Sequence, residues 1–488
     1  MCRTVRALPS LAFAIIAGLL FASPATGGTD TAPEHELTGQ ELWDLTESKI
    51  FNGQIHQVQI TMNQAVWNQL HDDEKINHCE KSDNVKWAHV RSFVMDGVTL
   101  KDVAMRVRGN TSRCIPRLQF SVAFDKTNKV FSKQGSEAWQ EVQYDAATQA
   151  AIKHRTLHGL TELSLRRSFN DSSAQNDSGN GMLAREFVAT WAIGKAEGVA
   201  KTTVRGAPVY RGVYAIVKFQ FCSNDADQTC SNGFGRAYLI AEPIDKGFFA
   251  MRYDDSKPTF FSMVHGCALK GEHGLTPACL EPEYIAGKKY DDQDTTQQSQ
   301  LNALLTGPKG LKTQVDAATS AADLAEILDL DSIMNYAAAA TTVGDWDSAY
   351  GNFNNDVLYL FAASGKWKLV TWDVDNTFDF NGSGGPARSY SYAEVAKSPR
   401  LLFDKIFGTP ELDARFKGRL GSYLSVLYDA NGVGPLNDKI IEARDHYVSK
   451  LNAQLVPGEQ QNLQRSQEMF DYAKERFKSL RKQTQGTP

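Results

Sequence analysis

Residues 341–381 of the chain read T-T-V-G-D-W-D-S-A-Y-G-N-F-N-N-D-V-L-Y-L-F-A-A-S-G-K-W-K-L-V-T-W-D-V-D-N-T-F-D-F-N. Two apolar runs within this stretch, 357–362 and 367–372, each have the length of a β-strand. Ser364 and Gly365 between them are typical turn residues. The stretch therefore predicts a β-hairpin.

Acidic and amide residues crowd both outer ends of this predicted hairpin. They are Asp345, Asp347, Asn352, Asn354 and Asn355 before it, and Asp373 and Asp375 after it. Because a short turn returns an antiparallel strand close to its starting point, the two groups should meet in space. Together they would form a pocket of oxygen ligands suited to a hard cation such as Mg²⁺.

The order of these residues matches an arrangement used for phosphoryl transfer. Protein kinases place a catalytic Asp before a metal-binding Asn and return through a hairpin to a second metal-binding Asp. Asp347 and Asn352 have the kinase spacing, and Asp373 stands where the second Asp belongs. The alternative is a polar loop in which Asp and Asn serve only as turn formers. The spacing alone does not separate the two, and the ordered set of three elements favours phosphoryl transfer.

The composition is that of an ordinary globular protein, and the N-terminal pattern adds a prediction of export. The chain has 488 residues, enough for two or three domains, with 42% hydrophobic and 22% charged residues and a net charge of -5, which gives no electrostatic case for nucleic acid or an anionic membrane. Arg3 and Arg6 precede an apolar run at 11–21 and a small-residue segment ending at Ala25. This pattern predicts a signal peptide over 1–25 and a secreted, periplasmic or extracellular mature protein without a membrane span.

Six cysteines remain after the predicted cleavage, and an even number in an exported chain predicts disulfides. The close pairs Cys222/Cys230 and Cys267/Cys279 would each clip a loop, which leaves Cys79 for Cys114. No C-x-x-C motif is present, so a redox or zinc site is not expected.

The patterning predicts three regions after the signal peptide: a flexible lead-in over 26–49, a β-rich region with one helix over 50–250, and a region with the hairpin and C-terminal helices over 251–488. Alternating or apolar runs predict strands at 54–62, 103–108, 118–124, 160–165, 209–221 and 236–241, and a hairpin over 90–100 that turns at Asp96-Gly97. Helical spacing predicts helices at 63–70, 183–198, 321–339, 400–428 and 433–480, and residues 126–155 read as a polar insertion.

Six segments together resemble the spore-coat-protein-H-type (CotH) kinases, atypical secreted relatives of protein kinases. They are M-D-G-V-T-L-K-D-V-A-M-R-V-R-G-N-T-S (95–112), S-F-N-D-S-S (168–173), Y-R-G-V-Y (210–214), E-P-I-D-K-G-F-F (242–249), D-W-D-S-A-Y-G-N-F-N-N (345–355) and K-W-K-L-V-T-W-D-V-D-N-T-F (366–378). The resemblance covers roughly residues 50 to 460. It implies an α+β, kinase-like two-lobed fold with a β-rich N-lobe and a helical C-terminal part. It also implies ATP with Mg²⁺ or Mn²⁺ and transfer of the γ-phosphate to Ser/Thr hydroxyls of a protein substrate.

The resemblance also assigns roles to individual residues. Asp347 looks like the catalytic Asp that orients and deprotonates the acceptor. Asn355, beside the strand, looks like the metal ligand of the loop, although the spacing of ordinary kinases would select Asn352. Asp373 resembles the second metal ligand, with Asp375 supporting it.

Three further residues are candidates for contact with the nucleotide. Arg117 and Leu118 stand where family members usually carry a Lys-Lys pair, and Arg117 could hold phosphates bidentately. Arg108 would lie nearby as a ligand or as an anchor of the loop that follows it. Glu242, at a hinge-like strand end, would border the base. Glu186 would be either a solvated helix residue or a kinase-type partner of a phosphate-binding cation.

Other functions compete with the kinase interpretation. The missing Lys pair favours an inactive family member that acts as a surface adhesin or a coat or scaffold protein. Residues 373–377 match the D-x-D-x-T motif of haloacid-dehalogenase-type phosphatases, but only helices are predicted after the motif. The same segment resembles a calcium loop, except that Phe378 and Gly384 stand where an EF-hand needs Gly and Glu. Transfer of AMP in place of phosphate also remains open.

Overall fold

The structure is a computed structural model. It describes residues 37–76, 86–108, 118–135, 137–167, 184–197, 205–224, 226, 229–263, 275–277, 279–349, 355–378, 401–455 and 464–485.

The described residues form two β-sheets. The strands are β1 His56–Asn63, β2 Trp87–Met95, β3 Val98–Arg108, β4 Gln119–Ala123, β5 Val130–Ser132, β6 Gln140–Glu141, β7 Glu162–Arg166, β8 Gly212–Cys222, β9 Cys230–Ala241, β10 Thr259–Met263, β11 Leu280–Ile285, β12 Lys288–Lys289, β13 Asp356–Phe361 and β14 Lys366–Thr371.

Helices flank the sheets and dominate the C-terminal part. They are α1 Gly39–Lys49, α2 Gln64–Ile76, α3 Ala146–Ile152, α4 Ala184–Glu197, α5 Lys246–Tyr253, α6 Thr295–Leu305, α7 Leu311–Ala317, α8 Ala321–Ile327, α9 Leu330–Val343, α10 Leu401–Gly408, α11 Pro410–Leu427, α12 Pro435–Glu442, α13 Ser449–Asn452 and α14 Gln464–Gln485. A π-helical turn, Ala443–Val448, joins α12 to α13.

The first sheet closes on itself into a seven-stranded barrel. Its order is β1-β8-β9-β7-β4-β3-β2, and β2 pairs again with β1. The β1–β8 pair is parallel, whereas the other neighbours around the barrel are antiparallel. Closure pairs every strand of the barrel on both sides and so leaves no open edge.

Strand β8 is buried on both faces because it separates two apolar cores. Val213, Ala215 and Val217 belong to the core that also holds α1 and α2. Tyr214 and Ile216 point the other way, into the core shared by α4, α9 and the C-terminal helices. This explains why the strand reads as a nearly continuous apolar run rather than an alternation.

The second sheet places the hairpin of the 341–381 stretch against the helices. Its antiparallel order is β12-β11-β10-β13-β14. Single bridges from Val209 to Thr371 and from Leu328 to Trp367 fasten β14 to the rest of the molecule. Helix α9 delivers the chain to the hairpin through the centre of the core, with residues 336–343 all buried.

The predicted α+β class is confirmed. The part predicted as a β-rich N-lobe contains a closed barrel, which the sequence did not predict, and the two-lobed kinase arrangement stays a prediction. The predicted flexible lead-in is wrong for 39–49, which form α1. Thr38 and Glu41 make a capping box at the start of this helix, and its Trp43 is buried. The predicted polar insertion contains β5, β6 and α3, and β5 extends the sheet beside β2. Short elements of this kind carry too few apolar residues to show a period.

Three predicted long helices are divided. Residues 433–480 contain α12, the π-helical turn, α13 and the start of α14, and residues 321–339 and 400–428 each form two helices. Residue Asp329 caps α9 by accepting from the Ser332 amide at 3.1 Å, which ends α8 before it. Thr409 and Pro410 divide α10 from α11, with Pro410 at the first helical position, where its missing N–H costs nothing. Apolar spacing continues across both breaks because both helices of each pair face the same core.

The disulfide between Cys222 and Cys230 joins the ends of β8 and β9, as predicted. Cys279 is also disulfide-bonded. Cys79, Cys114 and Cys267 lie outside the described residues, as does the predicted signal peptide. No helix within the described part of the chain has the length and apolar character needed to span a bilayer.

Candidate active site

Helix α9 ends in a tight turn that starts the candidate catalytic loop. Gly344 has φ +70° and ψ +38°, and its N–H reaches the Ala340 and Thr341 carbonyls. The Asp345 amide also donates to the Ala340 carbonyl, at 2.9 Å. A Cβ at Gly344 would lie 1.9 Å from the Tyr472 hydroxyl. Only glycine therefore fits both the left-handed conformation and the space.

The predicted hairpin is confirmed and brings both ends of the acidic stretch together. Strands β13 and β14 pair from Asp356 opposite Thr371 to Phe361 opposite Lys366. The Trp372 amide donates to the Asn355 carbonyl at 3.0 Å and extends the ladder by one step. Asn355 and the residue after Trp372 are therefore neighbours at the open end of the hairpin.

Asn355 connects the two halves of the site. Its Nδ2 donates to Oδ2 of Asp347 at 2.8 Å and lies 3.5 Å from the backbone carbonyl oxygen of Asp373. Asn355 and Asp373 have φ values of +55° and +59°. Asn and Asp tolerate this left-handed conformation better than other residues with side chains. The structure thus brings together three residues that the sequence predicted would meet.

Asn376 is a further polar residue at this point, and no role was predicted for it. Its Nδ2 donates to the same Oδ2 of Asp347 at 3.1 Å, and the side chain is 4% exposed. Two amides therefore fix the orientation of the Asp347 carboxylate. The same segment is tied to α9 by the Phe378 amide, which donates to the Val343 carbonyl at 2.9 Å.

The carboxylate of Asp373 faces a buried arginine. Nη2 of Arg166, at the end of β7, donates to Oδ1 of Asp373. Nε of the same guanidinium lies 2.5 Å from Oε1 of Glu186, in the first turn of α4. The Tyr210 hydroxyl also donates to Glu186, and the guanidinium lies 4.9 Å from the Trp372 ring centroid. Glu186 is 1% exposed, which excludes the solvated helix face considered from the sequence.

Burial and attraction compete at this ion pair. Burial favours the uncharged form of Arg166, and the attraction of Glu186 outweighs it, so that the pKa of Arg166 is raised. Burial also raises the pKa of Glu186, against the lowering effect of Arg166. A pair of this kind depends on both partners, because either charge alone would be buried without compensation.

Two further aspartates, Asp345 and Asp356, are buried on either side of Asp347 in the sequence. Asp356 accepts from the Tyr336 hydroxyl at 2.6 Å and from the Ala349 amide at 2.5 Å, and burial raises its pKa to about 7. Burial, followed by the charges of Asp356 and Asp347, raises the pKa of Asp345 well above its usual value. The neutral form of Asp345 is therefore favoured.

The other predicted site residues have different positions. Asp375 is 3% exposed and acts through its charge on Arg166 and Glu186. Arg108 ends β3 beside the site, donates to the Ser164 hydroxyl and lies 4.8 Å from the Trp372 ring centroid. Burial lowers its pKa to about 10. Asn352 and Arg117 lie outside the described residues.

Glu242 lies in an ion cluster that contains neither Asp347 nor Asp373. It is fully buried, with Arg211 at 2.9 Å and Arg252 at 2.5 Å. The attraction of both arginines overcomes burial and lowers its pKa. Both carboxylate oxygens are engaged by arginines, so the expected contact of Glu242 with a nucleotide base has no structural support.

Oxygen donors around Asp347 fit a hard divalent cation. Across the described ranges, no group of three or more His, Cys, Asp or Glu side chains is placed to hold a metal. The local donors are instead mixed carboxylates and amides. Asn355 donates through Nδ2, which leaves its Oδ1 to accept, and the buried Oδ1 of Asn376 has no hydrogen-bond partner among the described atoms. Buried oxygens of this kind are suitable cation ligands.

A known family model covers the residues that form this candidate site. A family model described as CotH kinase protein matches residues 105–480. The chain belongs to the CotH kinase family. The resemblance drawn from the motifs is therefore confirmed, although the match begins after the first ten residues of the 95–112 segment. A search of curated proteins found no match.

The candidate site of this CotH family member includes residues that the sequence did not assign to it. Arg166 and Tyr210 both contact Glu186, and both are buried. A signal for Arg166 was present, because a cation at the end of a strand precedes a helix with Glu in its first turn. Asn376 lay within a quoted motif but carried no distinguishing spacing.

Proposed function

We propose that this CotH family member is an exported atypical kinase that transfers the γ-phosphate of ATP to Ser/Thr hydroxyls of a protein, with Mg²⁺ or Mn²⁺. The observation that carries the proposal is the contact of Asn355 with both Asp347 and the backbone of Asp373. A loop Asp, a loop Asn and a hairpin-end Asp in this order are the parts that protein kinases use for phosphoryl transfer.

The ion pair at the site supports the same proposal. Kinases hold a phosphate-binding Lys against a Glu of the first large helix. Arg166 and Glu186 have the corresponding relation of strand end to helix, with Arg in place of Lys. In this proposal the barrel takes the part of the N-lobe and the C-terminal helices take that of the C-lobe, with Arg166 directed to the phosphates. Arg108 would add a second cation at the same end of the barrel.

In the proposed reaction Asp347 accepts the proton of the acceptor hydroxyl, which it can do because two amides hold its carboxylate in place. Oxygen atoms of Asn355, Asp373 and Asn376 would hold the divalent cation, with Asp375 supporting them. When bound, the cation neutralises charge on the nucleotide phosphates. Arg166 must then share Asp373 with the cation, or release it.

The decisive experiment measures transfer of label from γ-labelled ATP to a generic basic protein with Mg²⁺ or Mn²⁺. We expect Asp347→Asn and Asp373→Asn to reduce transfer by at least about 100-fold, because general-base and electrostatic contributions have that size. Asp331→Asn, at an exposed ion pair on α9, is the matched control and should keep full activity. Equal activity in all three variants would refute the proposal, and label from α-labelled ATP would indicate AMP transfer.

A second function, an inactive adhesin or scaffold, is favoured by one observation. The carboxylate of Asp373 is already neutralised by Arg166, so a metal ion must compete with an internal cation. The replacement of the usual Lys pair by Arg117 and Leu118 agrees with this alternative. Thermal stabilisation by ATP and metal without any transfer of label would support the inactive protein. An aspartyl-phosphate on Asp373 would instead support the phosphatase alternative.

A further inference from the structure

A cavity lies behind α4, separate from the aspartates of the candidate active site. It has a volume of about 450 Å³, in the range of small-molecule sites. Its walls are largely aromatic and come from α1, α4, the start of β8 and the π-helical turn. The aromatic residues are Trp43, Phe51, Phe187, Trp191, Tyr210 and Tyr447.

The charges at the cavity are unevenly balanced. Arg211 and Arg252 are committed to the buried Glu242. Two lysines remain on the α4 and α12 side. The Lys439 ammonium lies 4.6 Å from the Phe187 ring centroid, and the Lys195 ammonium lies 5.7 Å from that of Trp191.

The two lysines at the cavity have few acidic partners. Lys439 pairs with Glu442 at 3.1 Å, and Glu442 is 43% exposed. Within the described part of the chain, Lys195 has no acidic partner among the ion pairs. Burial lowers the pKa of Lys439, and the nearby charge of Lys195 lowers it further against the attraction of Glu442. The one carboxylate paired with the two ammonium groups is thus the solvent-exposed Glu442, because Glu47, which also lines the cavity, pairs with Arg211.

We infer that this cavity binds a small amphipathic organic anion, with a flat aromatic body between the aromatic walls and one carboxylate held by Lys195 and Lys439. The aromatic rings supply stacking and apolar contact, and the lysines select negative charge. This site lies outside the proposed reaction.

A ligand bound in the cavity would affect the candidate active site through α4. Phe187 lines the cavity one residue after Glu186, and Tyr210 lines it while its hydroxyl holds Glu186. A bound ligand packed on both residues would stabilise α4 in the position that pairs Glu186 with Arg166. An effect on phosphoryl transfer rests on the proposed function, whereas binding does not.

The test compares naphthalene-2-carboxylate with the neutral naphthalene-2-methanol by titration calorimetry on the mature protein, without ATP or metal. We expect one saturable site that binds the carboxylate at least tenfold more tightly than the alcohol. The double variant Lys195→Met/Lys439→Met should lose this preference, whereas Lys312→Met, on α7 away from the cavity, should keep it. Equal binding of both probes, or a preference that survives the double variant, overturns the inference.

A second pair of variants tests the location by volume. A Cβ at Gly194 would meet its nearest atom, Cγ1 of Val209, at an ordinary 3.7 Å. Gly194→Ala should therefore bind the probe as the parent does, whereas Gly194→Leu should fill the cavity and weaken binding at least tenfold. Circular dichroism checks that both variants fold. Unchanged binding in a folded Gly194→Leu protein would place the probe elsewhere.

Coupling to the helix is measured without relying on activity. Saturating naphthalene-2-carboxylate should slow amide hydrogen exchange in α4 relative to α7. An unchanged exchange pattern in α4, with the probe bound, would show that the cavity and the Glu186 contacts are independent. This result would leave the kinase proposal untouched, which makes the two failures distinguishable.

Discussion

Arg166 holds two carboxylates from different parts of the chain, Glu186 on α4 and Asp373 after β14. We expect Arg166→Met to cost roughly 3–5 kcal/mol of unfolding free energy, because removing one member of a buried ion pair leaves the other charge uncompensated. Urea denaturation measures the loss.

The matched control removes the partner as well. Arg166→Met/Glu186→Gln should recover much of the lost stability, because the buried carboxylate that paired with Arg166 is then neutral as well. Asp373 is 34% exposed and can be solvated without its partner. A single variant that costs less than about 1 kcal/mol would show that the pair contributes only as an exposed one would.

Asp245 makes stability depend on pH. It caps α5 by accepting from the Phe248 amide at 3.0 Å, and burial raises its pKa to about 7. The folded state therefore holds a proton that the unfolded state releases near pH 4. This contribution is complete below the unfolded pKa and is lost as the pH rises to about 7.

We expect Asp245→Asn to be more stable than the parent at pH 8, by on the order of 2 kcal/mol after allowance for partial solvent contact, and little changed at pH 4. Asparagine keeps the helix cap without titrating. Asp245→Ala is the control, which should lose about 1 kcal/mol at both pH values because the cap is gone. Thermal unfolding across this pH range measures all three proteins, and a parent curve that matches Asp245→Asn would contradict the expectation.

At the level of elements, the turn after α9 decides how the candidate catalytic loop leaves its helix. We expect Gly344→Ala to destabilise the protein by roughly 2–4 kcal/mol, since a left-handed conformation and an overpacked methyl group are combined there. The methyl group would lie 1.9 Å from the Tyr472 hydroxyl.

Gly365 in the hairpin turn offers the comparison. It has φ +69°, close to that of Gly344, but no atom in the described part of the chain lies within 4 Å of the point that a Cβ would occupy. Gly365→Ala should therefore cost only about 1 kcal/mol, the conformational part alone. Equal losses in the two variants, measured by denaturant titration, would mean that the Tyr472 contact is relieved at little cost.

At the scale of the whole molecule, the Glu242 cluster joins parts that are distant in sequence. Arg211 from the start of β8 also pairs with Glu47 of α1 at 2.9 Å and stacks 4.0 Å from the Trp43 ring centroid, while Arg252 comes from α5. The cluster thus fastens the N-terminal helix to the end of the barrel.

We expect Glu242→Gln to cost roughly 3–5 kcal/mol, because two arginines lose their buried counter-charge. Glu47→Gln is the matched control at the exposed edge of the same cluster, and it should cost less than about 1 kcal/mol. Chemical denaturation measures both. If Glu242 instead contacted the nucleotide, its substitution would weaken ATP binding while leaving stability unchanged.

Local patterns in the sequence determined much of this protein. The hairpin, the sites of α4 and β8, the Cys222–Cys230 pair and the family motifs all depend on residues close together along the chain, where apolar period, turn chemistry and spacing act directly. The convergence of Asp347, Asn355 and Asp373 followed from the same reasoning, because a hairpin brings the residues before its first strand close to the residues after its second.

Only the tertiary structure decided the rest. Closure of the barrel depends on β1 pairing with both β2 and β8. No residue pattern within β1 indicates which strands it pairs with. The choice of Arg166 as partner of Asp373, and the burial of Glu242 between arginines, depend likewise on which distant charges meet. A charged side chain looks the same in sequence whether water or a buried counter-ion surrounds it, so its role is set by the fold that encloses it.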